Sequence, residues 1–283
     1  FIQSDLSGQK SLNQNQLNDN AIVPELLMER IESTERHRQI SASQIMLFEQ
    51  NPEQYYLRYV IGLSEEPTPT VNEIADYDNS DNVVGSLAGS LIHYILEHLQ
   101  LWNNLSFDEK NHVIDSLTSN FAESRQIILS KNLTQRCKHE TIAISETKLL
   151  KNFNPSISFA VFEENLLLPF DDDFINAIID CRIYNHEENL WEIWDWKSNK
   201  IESIEESNQL VVKYKRQMEI YAFLLSLIHP DQKLFRCRLL YTRLADSNCK
   251  DEEWSSIIEF TKEETAIIKD SISLIINQIK LFY

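Results

Sequence analysis

Two acidic residues and a lysine sit inside apolar, strand-like runs between residues 176 and 200. The first run, INAIIDCRIY, carries Asp180; the second, LWEIWDWKS, carries Asp195, Trp196 and Lys197. Residues two apart on a strand share a face, so Asp195 and Lys197 project together and Trp196 points the other way. A hairpin between the two runs would set Asp180 across from Asp195. Two carboxylates offer the hard oxygen ligands that Mg2+ or Mn2+ prefers. Such an ion polarises a phosphoryl oxygen and lowers the pKa of a bound water. A lysine beside it can orient or help deprotonate the water and offset charge developing on the phosphate. The chemistry implied is hydrolysis of a phosphodiester. The competing reading of the same residues is a buried ion pair between strands, which costs desolvation and adds little stability.

The runs that position these residues follow from the apolar period. The segments 157–170, 175–184 and 190–198 read as three strands joined by the polar turns DDDF and NHEEN. Residues 206–228 form an amphipathic helix that ends near Pro230, 234–244 a fourth strand, and 261–282 a closing helix capped by Thr261. The first half is helical. Ser41 or Ser43 caps a helix that Pro52 interrupts, and EQYYLRYVIG resumes it. Residues 83–102 carry one leucine-rich stripe, with Gly85 and Gly89 permitting close packing. Residues 106–130 open on the capping box Ser106–Glu109, and 133–151 read as a further helix. Residues 1–40 read as a polar lead-in with a short helix over 24–38, and 64–83 as an acidic loop. The expected fold class is α/β: a mixed central sheet flanked by helices, with 41–150 mainly helical and 157–283 holding the sheet core.

Composition narrows the function. With 42% apolar residues the chain can bury a sizeable core, and only four glycines and seven prolines argue against an all-β fold of tight turns. The four cysteines show no C-x-x-C spacing, which argues against zinc and for a reducing cytoplasm. No apolar run is long enough to span a membrane. The chain opens on Phe1, which reads as a piece of a longer polypeptide. A net charge of −18 argues against a general nucleic-acid binder but not against a local site where metal reverses the sign. Basic residues cluster at Arg30, Arg36 and Arg38, and again at Lys197, Lys200, Lys213, Lys215 and Arg216. The second group reads as a local basic track, or as an ordinary solvated helix face.

Five segments in order resemble the PD-(D/E)XK nuclease superfamily, and within it the RecB-like domain of bacterial helicase–nucleases. They are SASQIMLFEQNPEQYYLRYVIGL, GSLAGSLIHYILEHL, INAIIDCRIY, WEIWDWKSNK and KRQMEIYAFLL, together spanning roughly residues 40–242. The resemblance implies a restriction-endonuclease-like core. It makes His93, Asp180 and Asp195 ligands of Mg2+ or Mn2+, with the Trp196 carbonyl as a further one. Lys197 would position the attacking water. Gln217 and Tyr221, with Lys213 and Arg216 nearby, would hold the DNA backbone or the shape of the site. It further implies a role in recombination or repair, exonuclease action more than endonuclease, and a fused or associated helicase. No G-x-x-x-x-G-K-[ST] loop occurs in the chain, so any motor lies outside it. Asn51 stands where many relatives have the first cysteine of an iron–sulfur cluster, so no cluster is expected, and buried thiols are. The glycine usual before the first Asp strand is replaced by Asn176 or Ala177, and the Thr-Gly after the lysine by Ser198-Asn199. Taken alone, His93 reads more readily as a packed or capping histidine beside an apolar stripe than as a ligand, with His98 facing solvent. Glu163 and Glu164 read first as a solvated strand end, with an additional acidic contact to the site as the alternative. The alternative function is a non-catalytic scaffold with a nuclease outline in a repair complex.

Overall fold

The computed structural model describes residues 37–63, 81–151, 159–186, 188–199, 201, 203–245 and 250–281. The lead-in and nearly all of the helix expected over 24–38, residues 64–80 of the acidic loop expected over 64–83, Lys200 and Cys249 lie outside them; residues 81–83, expected in that loop, are helical. β1 (Gln39–Ser41) runs directly into α1 (Ala42–Gln50). Ser41 accepts from the Gln44 N–H and donates its own N–H to the Gln44 side chain, which satisfies two donors at the helix start. Asn51 ends α1 and caps α2 (Pro52–Tyr55), where the missing N–H of Pro52 is no loss. A π-helical turn, Tyr56–Val60, follows.

The next block is helical: α3 (Asp81–Glu97), α4 (Leu99–Trp102), α5 (Phe107–Arg125), α6 (Lys131–Glu146) and α7 (Lys148–Lys151). The single helix expected over 83–102 is broken at His98. There the Trp102 indole donates to the Ile95 carbonyl at 3.1 Å, and the His98 N–H turns tightly back to the same oxygen. His98, expected to face solvent, is half-buried: its ring packs on Tyr94 and its Nδ1 lies 2.8 Å from the Tyr94 carbonyl. α5 starts on the expected Ser106–Glu109 box but stops at Arg125, because Gln126 adopts a left-handed φ of 54°.

The sheet half contains β2 (Ala160–Phe170), β3 (Asp173–Asn185), β4 (Leu190–Lys197), α8 (Ile204–Ile228), β5 (Leu234–Tyr241), α9 (Asp251–Trp254), β6 (Ser255–Thr261) and α10 (Lys262–Lys280). The strand order is β1-β3-β4-β5-β6, with β2 also on β3. β1 on β3 and β4 on β5 are parallel; the other pairs are antiparallel. The fold is therefore α/β with a mixed central sheet flanked by helices. Sequence periodicity missed β1, which is three residues long, and β6, whose doublets Ser255-Ser256 and Ile257-Ile258 hide the alternation. The sheet thus takes in Gln39 and Ile40, which the sequence assigned to the lead-in.

Two apolar cores hold the sheet. One joins α1, α8 and α10 to Ile175, Ala177, Ile179, Ile193 and Leu239; the other joins α3 to α7 to Cys181, Ile183, Trp194 and Trp196. Along β3 the change from one core to the other falls at Asp180. Gly89 lets α3 approach the end of β4: a Cβ there would lie 2.7 Å from the Ser198 Oγ. Gly89→Val is expected to lower stability by about 1–3 kcal/mol through overpacking. Gly89→Ala should cost less, since the serine hydroxyl can rotate and alanine favours the helix by up to about 1 kcal/mol. Urea unfolding of both variants checks the order.

Candidate active site

Three carboxylates line up across three strands. The β3–β4 register pairs Cys181 with Trp194, and one further step sets Asp180 opposite Asp195. The β2–β3 register likewise sets Asp180 opposite Glu163. The ladder is unpaired at Asp180 on both sides. Pairing with β4 stops at Cys181, and pairing with β2 skips the row where Glu163 takes a φ of 45°. A positive φ at a glutamate is uncommon and marks a local distortion. Beyond the last β3–β4 pair, the Trp196 N–H donates to Asp180 Oδ2 at 2.8 Å. A side chain thus replaces a ladder bond and fixes the carboxylate.

The other Asp180 oxygen faces α3. His93 Nδ1 lies 3.5 Å from Oδ1. One ligand atom from each of His93, Glu163 and Asp180 falls within 4.8 Å of the other two. Glu163 is therefore not the solvated strand end that its sequence context implies, whereas its neighbour Glu164 is held by Arg182 at 2.6 and 2.7 Å. Two glutamates in succession gave no sign of which one faces the site; the kink at Glu163 decides it.

Asp195 belongs to a more enclosed arrangement. It is 2% exposed and ion-paired with Lys197. Lys197 Nζ donates to Gln217 Oε1 at 3.1 Å and stands 3.7 Å above the Tyr214 ring, a cation–π contact. Gln217 Nε2 lies 3.3 Å from Asp195 Oδ1 and 2.9 Å from the Tyr221 hydroxyl, which in turn donates to the Ile178 carbonyl at 2.8 Å. Gln217 and Tyr221 thus brace Lys197, Asp195 and the backbone of β3. Trp196 is buried against the other core, its N–H on Asp180. Lys213 is exposed, with its ammonium 5.3 Å from the Tyr214 ring. Arg216 is not brought to this cluster: it binds Glu49 at 2.8 Å, Glu219 at 3.0 Å and Ser271 at 2.9 Å, tying α1 and α10 to α8. Cys137, Cys181 and Cys237 are buried thiols.

An open cleft of about 360 Å³ gives access to His93, Glu163 and Asp180. Gly89, Ser90, Tyr94, Glu97 and Arg125 complete its lining. Sequence reading missed Glu97 and Arg125. Glu97 lies four residues after His93, one helical turn on, and that spacing could have flagged it; Arg125 carries no local signal.

Excess negative charge dominates this cluster. Burial would lower the His93 pKa, but the Asp180 carboxylate beside it, helped by Asp195 and Glu163, raises it to about 9. Burial and the adjacent Asp180 push Glu163 up to about 7. Burial raises Asp195 to about 6 against the pull of Lys197. Carboxylates held next to each other and an imidazole that retains a proton are what a divalent cation would relieve. The donors are oxygen and imidazole, with no thiolate among them, and suit a hard or borderline ion such as Mg2+ or Mn2+. His93, Glu163 and Asp180 fit such an ion as the residues stand.

A family model described as the PD-(D/E)XK nuclease superfamily matches residues 39–280. The chain belongs to that superfamily, and its mixed sheet with flanking helices is the restriction-endonuclease-like fold. Among solved structures the chain matches a phage-related exonuclease from Haemophilus somnus at 12% identity and a TM-score of 0.24, over 86% of this chain and 97% of that one. A search of curated proteins returned no match.

Protons and metal compete for these ligands, which sets a pH dependence. His93 must lose its proton to bind a cation, so Mn2+ affinity is expected to rise from pH 6 to pH 9. Without metal the sign reverses. The His93 pKa is raised on folding, so its pairing with Asp180 stabilises fully below about pH 6.5 and is lost as pH passes about 9. Calorimetric Mn2+ titration across this range checks the first expectation. Thermal melts of wild type and His93→Gln in chelator check the second; the two melting curves should converge above pH 9.

Proposed function

We propose that the chain is a Mg2+- or Mn2+-dependent deoxyribonuclease of the RecB-like branch, hydrolysing phosphodiesters as an exonuclease in recombination or repair. The observation that carries this reading is the row Glu163–Asp180–Asp195 with His93 on one side and Lys197 on the other. A scaffold would need none of these charges, and burying them without use is costly. His93, Glu163 and Asp180 would hold the ion, with Asp195 and the Trp196 carbonyl as further ligands. When bound, the ion would polarise the phosphate and make its water more acidic.

The protein's own residues supply the rest. Lys197 would orient the attacking water and face negative charge as it builds on the phosphate. Gln217 and Tyr214 limit where that ammonium can go, and Tyr221 ties their helix to β3. Lys213, exposed beside Tyr214, offers a contact to the DNA backbone. A helicase, fused or associated, would deliver the strand and supply most of the affinity that an acidic chain lacks. Among the described residues, no helix is long and apolar enough to cross a membrane. A cytoplasmic location is part of the proposal and follows from the DNA substrate proposed for it.

Cleavage of linear and circular DNA, single- and double-stranded, in Mn2+ and in Mg2+ tests the proposal. Activity that requires the metal and a free end is expected. Lys197→Met should lower kcat by about 10²–10⁴. It also strands a buried carboxylate, at a cost of about 3–5 kcal/mol. The double variant Lys197→Met/Asp195→Asn removes that charge; it should recover stability in urea but not activity. Metal-independent activity, or full activity in the double variant, would contradict the assignment.

A further inference from the structure

The cleft that admits substrate is lined by three carboxylates, Glu97, Glu163 and Asp180. A bound divalent cation would offset part of that charge, but a nucleic-acid strand brings one negative charge per nucleotide. Among the described residues lining the cleft, Arg125 is the one arginine or lysine. Lys197 cannot serve as a general phosphate anchor, because it is 9% exposed and engaged by Asp195 and Gln217.

Arg125 is placed differently. It is exposed at the last turn of α5, and among the described residues its guanidinium makes no ion pair. Its guanidinium carbon rests 4.2 Å from the centre of the Phe121 ring. Phe121 is buried and packs on Tyr94, which itself lines the cleft, with ring centres 5.5 Å apart. The cation is thus held by an aromatic face, a contact that leaves its N–H donors free for a phosphate. The left-handed Gln126 ends α5 immediately afterwards, so the helix does not run on and carry its last turn past the cleft.

We propose that Arg125 is a substrate-positioning residue: it binds a backbone phosphate of the DNA strand, next to the one being cut, and holds the strand in the cleft. This rests on the nuclease reading for its substrate but not for its test. A purely structural role is the alternative, since arginine at a helix C-terminus complements the helix dipole. That role would change stability slightly and would leave the salt dependence of DNA binding untouched.

The test is binding of a fluorescently labelled single-stranded oligonucleotide by the full chain, with Ca2+ as the divalent ion, at several salt concentrations. Arg125→Ala is expected to raise Kd about tenfold and to flatten the slope of log Kd against log salt by about 0.7, the loss of one phosphate contact on a single strand. Arg125→Lys, which keeps the charge, should retain the slope. With Mn2+ and cleavable DNA, Arg125→Ala should raise KM far more than it lowers kcat. An unchanged Kd and slope in Arg125→Ala would overturn the inference. A wild type that binds DNA through Arg125 yet does not cut it would support the inference and count against the nuclease reading alone. A wild type that binds no DNA would overturn both.

Discussion

The site depends on a break in the sheet at Asp180. β3 cannot pair fully there with β2 or with β4, and the Trp196 N–H is satisfied by the Asp180 carboxylate instead of by a carbonyl. That one hydrogen bond, charge-assisted at 2.8 Å, does two jobs. It saves a backbone donor from burial without a partner. It also fixes Asp180 between Glu163 and Asp195, with its second oxygen toward His93. The same position marks where β3 passes from one apolar core to the other. Packing on both sides of the sheet therefore holds the break open.

Opposite charges approach the acidic row from two directions. α3 brings His93 to the open side, where the cleft lies. β4 and α8 enclose Lys197 on the other, braced by Gln217, Tyr214 and Tyr221. The enclosed side is nearly neutral as it stands. The open side is short of positive charge, and its raised His93 and Glu163 pKa values record that shortage. A net charge of −18 over the chain sharpens the problem for a polyanionic substrate, so where the few cations of the cleft lie matters more than how many the chain has.

The arrangement of Asp180, Asp195 and Lys197 was largely legible in the sequence because β alternation is a strict rule. Asp195 and Lys197 had to share a face, and a hairpin had to bring Asp180 near. His93 could be reached only through a likeness to a known family, since nothing in its helix separates it from a packed histidine. Glu163 was legible only as one of two adjacent glutamates that could add an acidic contact, and Arg125 not at all. Glu163 is turned into the site by a positive φ that no local pattern encodes, and Arg125 arrives by tertiary packing of α5 on α3 through Phe121 and Tyr94. Arg216 shows the reverse error: a basic residue near the site in sequence that the fold spends on Glu49, Glu219 and Ser271. In the fold, long periodic elements were readable, whereas β1 was too short and β6 too irregular to register. His98 broke a helix that looked continuous because the Trp102 indole claims the Ile95 carbonyl.

The break at Asp180 is proposed to assemble a site for a divalent cation. A crystal of the protein grown with Mn2+, with diffraction recorded on both sides of the manganese absorption edge, tests it most directly. One anomalous peak is expected, bounded by His93, Glu163 and Asp180, with the Trp196 N–H still on Asp180. Saturating Mn2+ with no peak there, and His93 still paired to Asp180 as an imidazolium, would contradict it.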